Sequence, residues 1–174
     1  MKKTKKSVHQ HRFETDLTDE RYFEPGDLLT PPLARAAYSD RTAWLMAKAA
    51  KLAYIRFEKS DEEMELLKRR LEDGGFDLVE TFSNGGTEAY LATNDQMAIL
   101  AFRGTEANDL RDILADLRIR FYRPDKSSPK KGKIHTGFNG AYAKVEVDLQ
   151  AAIDALSGLP LYITGHSLGG AIAT

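Results

Sequence analysis

Leu161-Tyr162-Ile163-Thr164-Gly165-His166-Ser167-Leu168-Gly169-Gly170-Ala171-Ile172-Ala173 decides how this chain is read. Its first four residues are an apolar run containing β-branched side chains, the composition of a buried strand. Its last residues are small enough to let a helix pack closely on its neighbours. Between them Gly165, Ser167 and Gly169 have the spacing of a nucleophile elbow, G-x-S-x-G. A serine hydroxyl lifted above the end of a strand needs a tight, strained turn, and residues without bulk two before and two after it let strand and helix approach. The pentapeptide alone recurs by chance. The strand before it and the small-residue helix after it carry the reading.

Upstream of the elbow the sequence alternates between two periods. Ser39 is placed to cap a helix in which Ala43, Ala47, Ala50, Tyr54 and Phe57 form the expected buried stripe. Ser60 and Glu63 have the spacing of a capping box for a second helix, with Met64, Leu67 and Leu71 on one face and Gly74-Gly75 as the stop. Residues 76–82, 89–93 and 96–102 then read as strands, separated by the turn-prone Asn84-Gly85-Gly86 and Asn94-Asp95. A short helix is expected over 108–116, a strand with one wet face over 117–121, and a lysine-rich loop over 125–133. Phe138, Tyr142, Val145, Leu149 and Ile153 have helical spacing, predicting a helix over 138–156. Strands mixed with helices of these lengths predict a layered α/β fold.

Composition narrows the function. The chain has 174 residues, 42% of them hydrophobic, with 25 basic and 26 acidic side chains, so one domain is expected and disorder is excluded for most of it. A net charge of -1 gives no global attraction to nucleic acid. There is no cysteine, which removes disulfides, thiolate metal sites and cysteine nucleophiles. No apolar run reaches the roughly 18 residues of a membrane span. The basic start of the chain has no apolar segment behind it, so no signal peptide is read and a cytoplasmic location is the default. Residues 1–37 are polar and then proline-punctuated, a tail and irregular lead-in to a domain over 38–174. The lysines at 2, 3, 5 and 6 and at 126, 130, 131 and 133 read as a solvated tail and loop, although they could touch an anionic lipid surface.

Three separated segments resemble the class 3 lipase family, the α/β-hydrolase lipases typified by fungal triacylglycerol lipases. They are Ile99-Leu100-Ala101-Phe102-Arg103-Gly104-Thr105, Ile134-His135-Thr136-Gly137-Phe138, and the elbow from Tyr162 to Ala171, with the helix from Ser39 as a weaker fourth. The resemblance implies an α/β-hydrolase fold, a central mostly parallel sheet with flanking helices. It implies a serine hydrolase acting on carboxylic esters of acylglycerols, in lipid metabolism, with an ester lipid as partner and no metal or organic cofactor. Ser167 corresponds to the nucleophile. Thr105, through its backbone N–H and hydroxyl, and the backbone N–H of Leu168 correspond to the oxyanion donors, and Gly165 and Gly169 to the elbow glycines. His135 corresponds to a structural residue before a helix. His166 reads as a packing residue. Asp109, Asp112 and Asp116, spaced as metal ligands on a helix can be, read as a solvated face, as His9 and His11 read as part of the tail; no metal site is expected.

A serine needs a histidine base oriented by a carboxylate, in the chain order serine, acid, histidine. Residues 168–174 contain neither. The chain therefore reads as an incomplete α/β-hydrolase domain, truncated after the nucleophile strand, with that strand left as an open edge. A gene fragment, a truncated product and an incomplete sequence all fit. On this reading the chain is inactive alone. The alternative is a non-catalytic lipase-like remnant that binds lipid or a protein partner; oligomeric state is not legible.

Overall fold

The computed structural model describes residues 22–23, 39–104, 121–122, 134–156 and 158–174. The first helix, α1 (Asp40–Leu52), starts where Ser39, in extended conformation, accepts a hydrogen bond from the Thr42 N–H. Its buried residues are Leu45, Ala49, Ala50 and Leu52, whereas Ala43 and Ala47 are exposed. The expected alanine stripe is thus corrected by the larger side chains. A leucine gains more than an alanine from burial, so Leu45 and Leu52 set which way the helix turns. Tyr54 and Phe57 follow the helix in a turn-rich segment rather than extending it.

The second helix, α2 (Asp61–Asp73), is capped by Ser60, whose hydroxyl accepts from the Glu63 N–H, and buries Leu67 and Leu71. It ends on Gly75, at φ 73°, with the N–H of Phe76 returning to the Leu71 carbonyl and that of Gly75 to Glu72. Strand β1 (Asp77–Asn84) then pairs antiparallel with β2 (Thr87–Thr93) through a two-residue turn of Gly85 and Gly86, both at positive φ. The Asn94 side chain accepts from the N–H groups of Gln96 and Met97, turning the chain into β3 (Ala98–Phe102).

Short strands β4 (Phe121–Tyr122) and β5 (Ile134–His135) pair with each other in a separate ladder. The helix expected over 138–156 is instead two, α3 (Thr136–Tyr142) and α4 (Glu146–Asp154). The hairpin braces the break. Thr87 donates its hydroxyl to the Ala141 carbonyl, which also accepts the Lys144 N–H, and Asn84 its amide to the Lys144 carbonyl, so the hairpin holds the chain on both sides of the break. The helix expected over 108–116 and the lysine-rich loop lie outside the described residues, as does the strand expected over 117–121 apart from Phe121, which is in β4.

Strand β6 (Leu161–Gly165) leads to α5 (Leu168–Ile172). The main sheet has the order β1-β2-β3-β6, with the first two pairs antiparallel and β3–β6 parallel. It is therefore mixed rather than mostly parallel, as far as described. Alternation along β2 and β3 sorts the core into two layers. Tyr90, Ala92, Ile99 and Ala101 pack with α1 and α2, while Ala89, Leu91, Ala98, Leu100 and Phe102 pack with Val145, Leu149 and Ala152 of the α4 side. The fully buried Tyr90 hydroxyl donates to the Ala49 carbonyl, joining sheet and α1. Strand β6 is the last strand of this sheet among the described residues, and Ile163 at its centre is 45% exposed. No helix among the described residues is long and apolar enough to cross a membrane.

Candidate active site

Parallel pairing fixes where the site lies. Phe102 at the end of β3 is in register with Gly165 at the end of β6, so both strands deliver their following loops to the same edge of the sheet. Thr164 secures β6 from behind, donating its hydroxyl to the Met46 carbonyl of α1. The chain then turns through His166 and Ser167 into α5, whose first bonds run from Gly169 to the His166 carbonyl and from Ala171 to that of Ser167.

Ser167 sits at φ 57°, ψ -122°, the only positive φ at a non-glycine among the described residues. Such a conformation costs about 1–3 kcal/mol and persists only where its surroundings impose it. The surroundings here are backbone. A side chain at Gly165 would strike Gly169 and Gly170, and one at Gly169 would strike Phe102 and Arg103 of the β3 end. One at Gly104 would strike the His166 carbonyl and the Tyr54 hydroxyl. These close approaches seat the elbow directly on the end of β3, and Ser167 is exposed at the surface they create.

Two polar side chains lock this contact. Arg103 lies in a segment that resembles the family without a role of its own, and Tyr54 has the spacing of a core residue. The Arg103 side chain, 6% exposed, donates to the Ala53 carbonyl at 2.5 Å and the Ile55 carbonyl at 2.6 Å, and grips both oxygens of Glu58 at 2.9 Å. It also lies 5.0 Å from the centre of the Phe57 ring. A charge at the end of an otherwise apolar strand, Ile99 to Phe102, was the available signal, because a buried guanidinium must be paired. Burial pushes the Glu58 carboxyl up, but hydrogen bonds and charge from Arg103 outweigh this and leave it below its ordinary value. Glu88, 4.0 Å from Arg103, moves the other way: burial raises it, and the partial relief from Arg103 is opposed by Glu58.

Tyr54 is half-buried, and its hydroxyl lies 2.9 Å from His166 Nδ1. Burial raises its pKa, against the Arg103 charge and a hydrogen bond from the Gly104 N–H. His166 is exposed and hydrogen-bonded, which corrects its reading as a packing residue. Leu168 opens α5, where first-turn N–H groups have no acceptor inside the helix. His135 ends β5 immediately before α3, the position before a helix that was expected for it. Thr105, Asp109, Asp112 and Asp116 lie outside the described residues, as do His9 and His11. Among the described residues no group of three or more His, Cys, Asp or Glu side chains could hold a metal ion.

Residues 99–174, from β3 through the elbow, match the lipase (class 3) family. The chain resembles the class 3 lipases. Among solved structures similar to it, the Rhizomucor miehei triacylglyceride lipase is 25% identical with a TM-score of 0.59, over 80% of this chain and 54% of that one. A lipase from Rhizopus microsporus var. chinensis is 25% identical, TM-score 0.58, over 86% and 55%. Lipase II from Rhizopus niveus is 28% identical, TM-score 0.53, over 75% and 49%. The chain thus spans about half the length of these lipases, and its mixed sheet with flanking helices corresponds to that part of their α/β-hydrolase fold. No functionally curated protein matches it.

Proposed function

We propose that these residues supply the nucleophile and oxyanion donors of a lipase-type serine hydrolase acting on carboxylic esters of acylglycerols. Ser167 Oγ attacks the ester carbonyl, and the oxygen that becomes negative is met by the N–H of Leu168 and by the N–H and hydroxyl of Thr105. Collapse expels the alcohol and leaves an acyl group on Ser167, which water then removes. The chemistry calls on no metal or organic cofactor. Two donors aimed at the developing charge matter because losing one typically costs about 10²–10³ in rate. The observation that carries the proposal is the conformation of Ser167, φ 57° and ψ -122°, on a turn seated against Gly104, the residue before Thr105.

Residues 168–174 supply no acid or histidine, and His166 is engaged by Tyr54. Without a base the hydroxyl stays protonated at neutral pH, so these 174 residues alone should turn over esters only at trace rates. That deficit suggests its own test. An alkyl fluorophosphonate should label Ser167 slowly in plain buffer, and faster in proportion to added imidazole standing in for the base. Mass spectrometry of the Ser167 peptide reads the adduct, and Ser167→Ala should abolish it. A probe that never reaches Ser167 at any imidazole concentration would refute the proposal. It would favour instead the non-catalytic remnant, for which the half-exposed Ile163, on the last strand of the sheet among the described residues, is the supporting observation.

A further inference from the structure

The hydrogen bonds around Tyr54 form a directed chain. The phenol has one proton and accepts the Gly104 N–H, so that proton is available to His166 Nδ1, 2.9 Å away. With burial holding the phenol above its ordinary range, the donor persists across the pH range in which esterases work. In the order Gly104 N–H to Tyr54 hydroxyl to His166, Nδ1 is the acceptor of the phenol proton, on a side chain that is itself exposed. One oxygen atom therefore touches the residue before Thr105 and the residue before Ser167.

Tyr54 is itself fixed from the same place. Arg103, the neighbour of Gly104, holds the carbonyls of Ala53 and Ile55, on either side of Tyr54 in the chain. The ring is closed: the end of β3 grips the backbone around Tyr54, and the Tyr54 side chain returns to the end of β3 and to the elbow. A phenylalanine would fill the same space and leave the β3–β6 ladder and backbone contact, with no side-chain hydrogen bond from Tyr54, to hold elbow and strand end together.

We infer that Tyr54 is a positioning residue of the hydrolytic site, setting through its hydroxyl the separation between the elbow that carries Ser167 and the strand end that leads to Thr105. The inference rests on the hydrolase reading of Ser167. Small displacements between a nucleophile and the donors that must share one carbonyl with it are costly in rate.

The test uses Tyr54→Phe, His166→Ala and the double variant in the full chain. Side-chain ¹⁵N spectra of the parent should show His166 as one neutral tautomer, unprotonated at Nδ1, and Tyr54→Phe should turn it into a mixture. Amide exchange at Gly104 should accelerate about tenfold, the scale of one lost hydrogen bond, while Leu149 on the far side of the sheet stays unchanged. Imidazole-assisted phosphonate labelling of Ser167 should fall about tenfold in either single variant and no further in the double one. An unaltered His166 tautomer with unaltered Gly104 exchange overturns the inference. So does labelling of Tyr54→Phe at the parent rate, or a double variant slowed by the product of the two effects. A parent chain that takes up no label strikes the hydrolase reading instead, and the spectra then decide whether Tyr54 holds the elbow.

Discussion

Replacing Arg103 with methionine tests how firmly the site is bolted together. Methionine keeps most of the length of the side chain and removes every donor. Two acceptors then lose their partner, the carbonyls of Ala53 and Ile55, both residues being buried. An unsatisfied buried carbonyl costs about 1–3 kcal/mol. Glu58, whose side chain is only 19% exposed, loses a two-pronged ion pair at the same time. Relaxation and entering water prevent these costs from simply adding. Removal of one member of a buried pair typically destabilises by about 3–5 kcal/mol, and we expect that range here. Arg103→Lys keeps the charge but not the fork, and should lie between the two.

The measurement is native-state amide exchange, which reads local opening residue by residue. Three hydrogen-bonded amides report on the clamp: Tyr54 to the Lys51 carbonyl, Ile55 to Leu52, and Arg103 to Glu88. A loss of 3–5 kcal/mol predicts acceleration of about 10²- to 10³-fold or more, since each 1.4 kcal/mol is a factor of ten. Leu149, bonded to Val145 on the opposite layer, should change least if the opening is local. Acceleration below about fivefold at all three amides would show that water replaces the guanidinium at little cost, and the account of Arg103 as the bolt would fail.

Ser167→Gly should stabilise the chain by about 1 kcal/mol, the strain at φ 57° less the extra freedom glycine brings to the unfolded state, while abolishing phosphonate labelling; slower exchange at Ala171 is the readout. The two carboxylates near Arg103 should have opposite pH signatures. Glu58, depressed in the folded chain, contributes stability that is present above its unfolded value and lost as pH falls through the folded one. Glu88, raised, contributes stability that is present below its unfolded value and lost as pH rises through the folded one. At pH 7, Glu58→Gln should therefore speed exchange at Arg103 and Glu88→Gln should slow it; the Glu88 difference closes once pH falls below its unfolded value, and the Glu58 difference only once pH falls below its depressed folded one.

What the sequence made legible is what neighbouring residues decide among themselves. The Ser60 cap, the Gly74-Gly75 stop and the Gly85-Gly86 turn each act within a few residues, and each appears in the structure. Events decided by distant partners were not legible. The buried face of α1 depends on which side chains meet the sheet, and five apolar residues spaced along one face did not reveal that Leu45 and Leu52 outweigh Ala43 and Ala47. The break between α3 and α4 is held by Asn84 and Thr87, more than fifty residues upstream, whose side chains bond the carbonyls of Lys144 and Ala141. Tyr54 had the spacing of a core residue, and only its hydroxyl, which periodicity ignores, distinguishes its use.

The elbow motif by itself would bring a serine to the end of a strand and nothing more. On the proposed reading, acyl transfer also needs donors at a fixed distance from that serine, and one of them, Thr105, is more than sixty residues away in the sequence. The structure joins the two by a parallel ladder, β3 beside β6, which brings both strand ends to one edge. Glycines at 104 and 169 then let the two backbones touch where side chains would hold them apart. Touching backbones can still slide. Arg103 and Tyr54 prevent this, one gripping carbonyls around the other, whose hydroxyl spans the seam to His166. The strain at Ser167 follows from the same arrangement, because the turn is seated on Gly104 and on the backbone of Phe102 and Arg103. Whatever base the serine is given, its position is set here, by residues that themselves perform no chemistry.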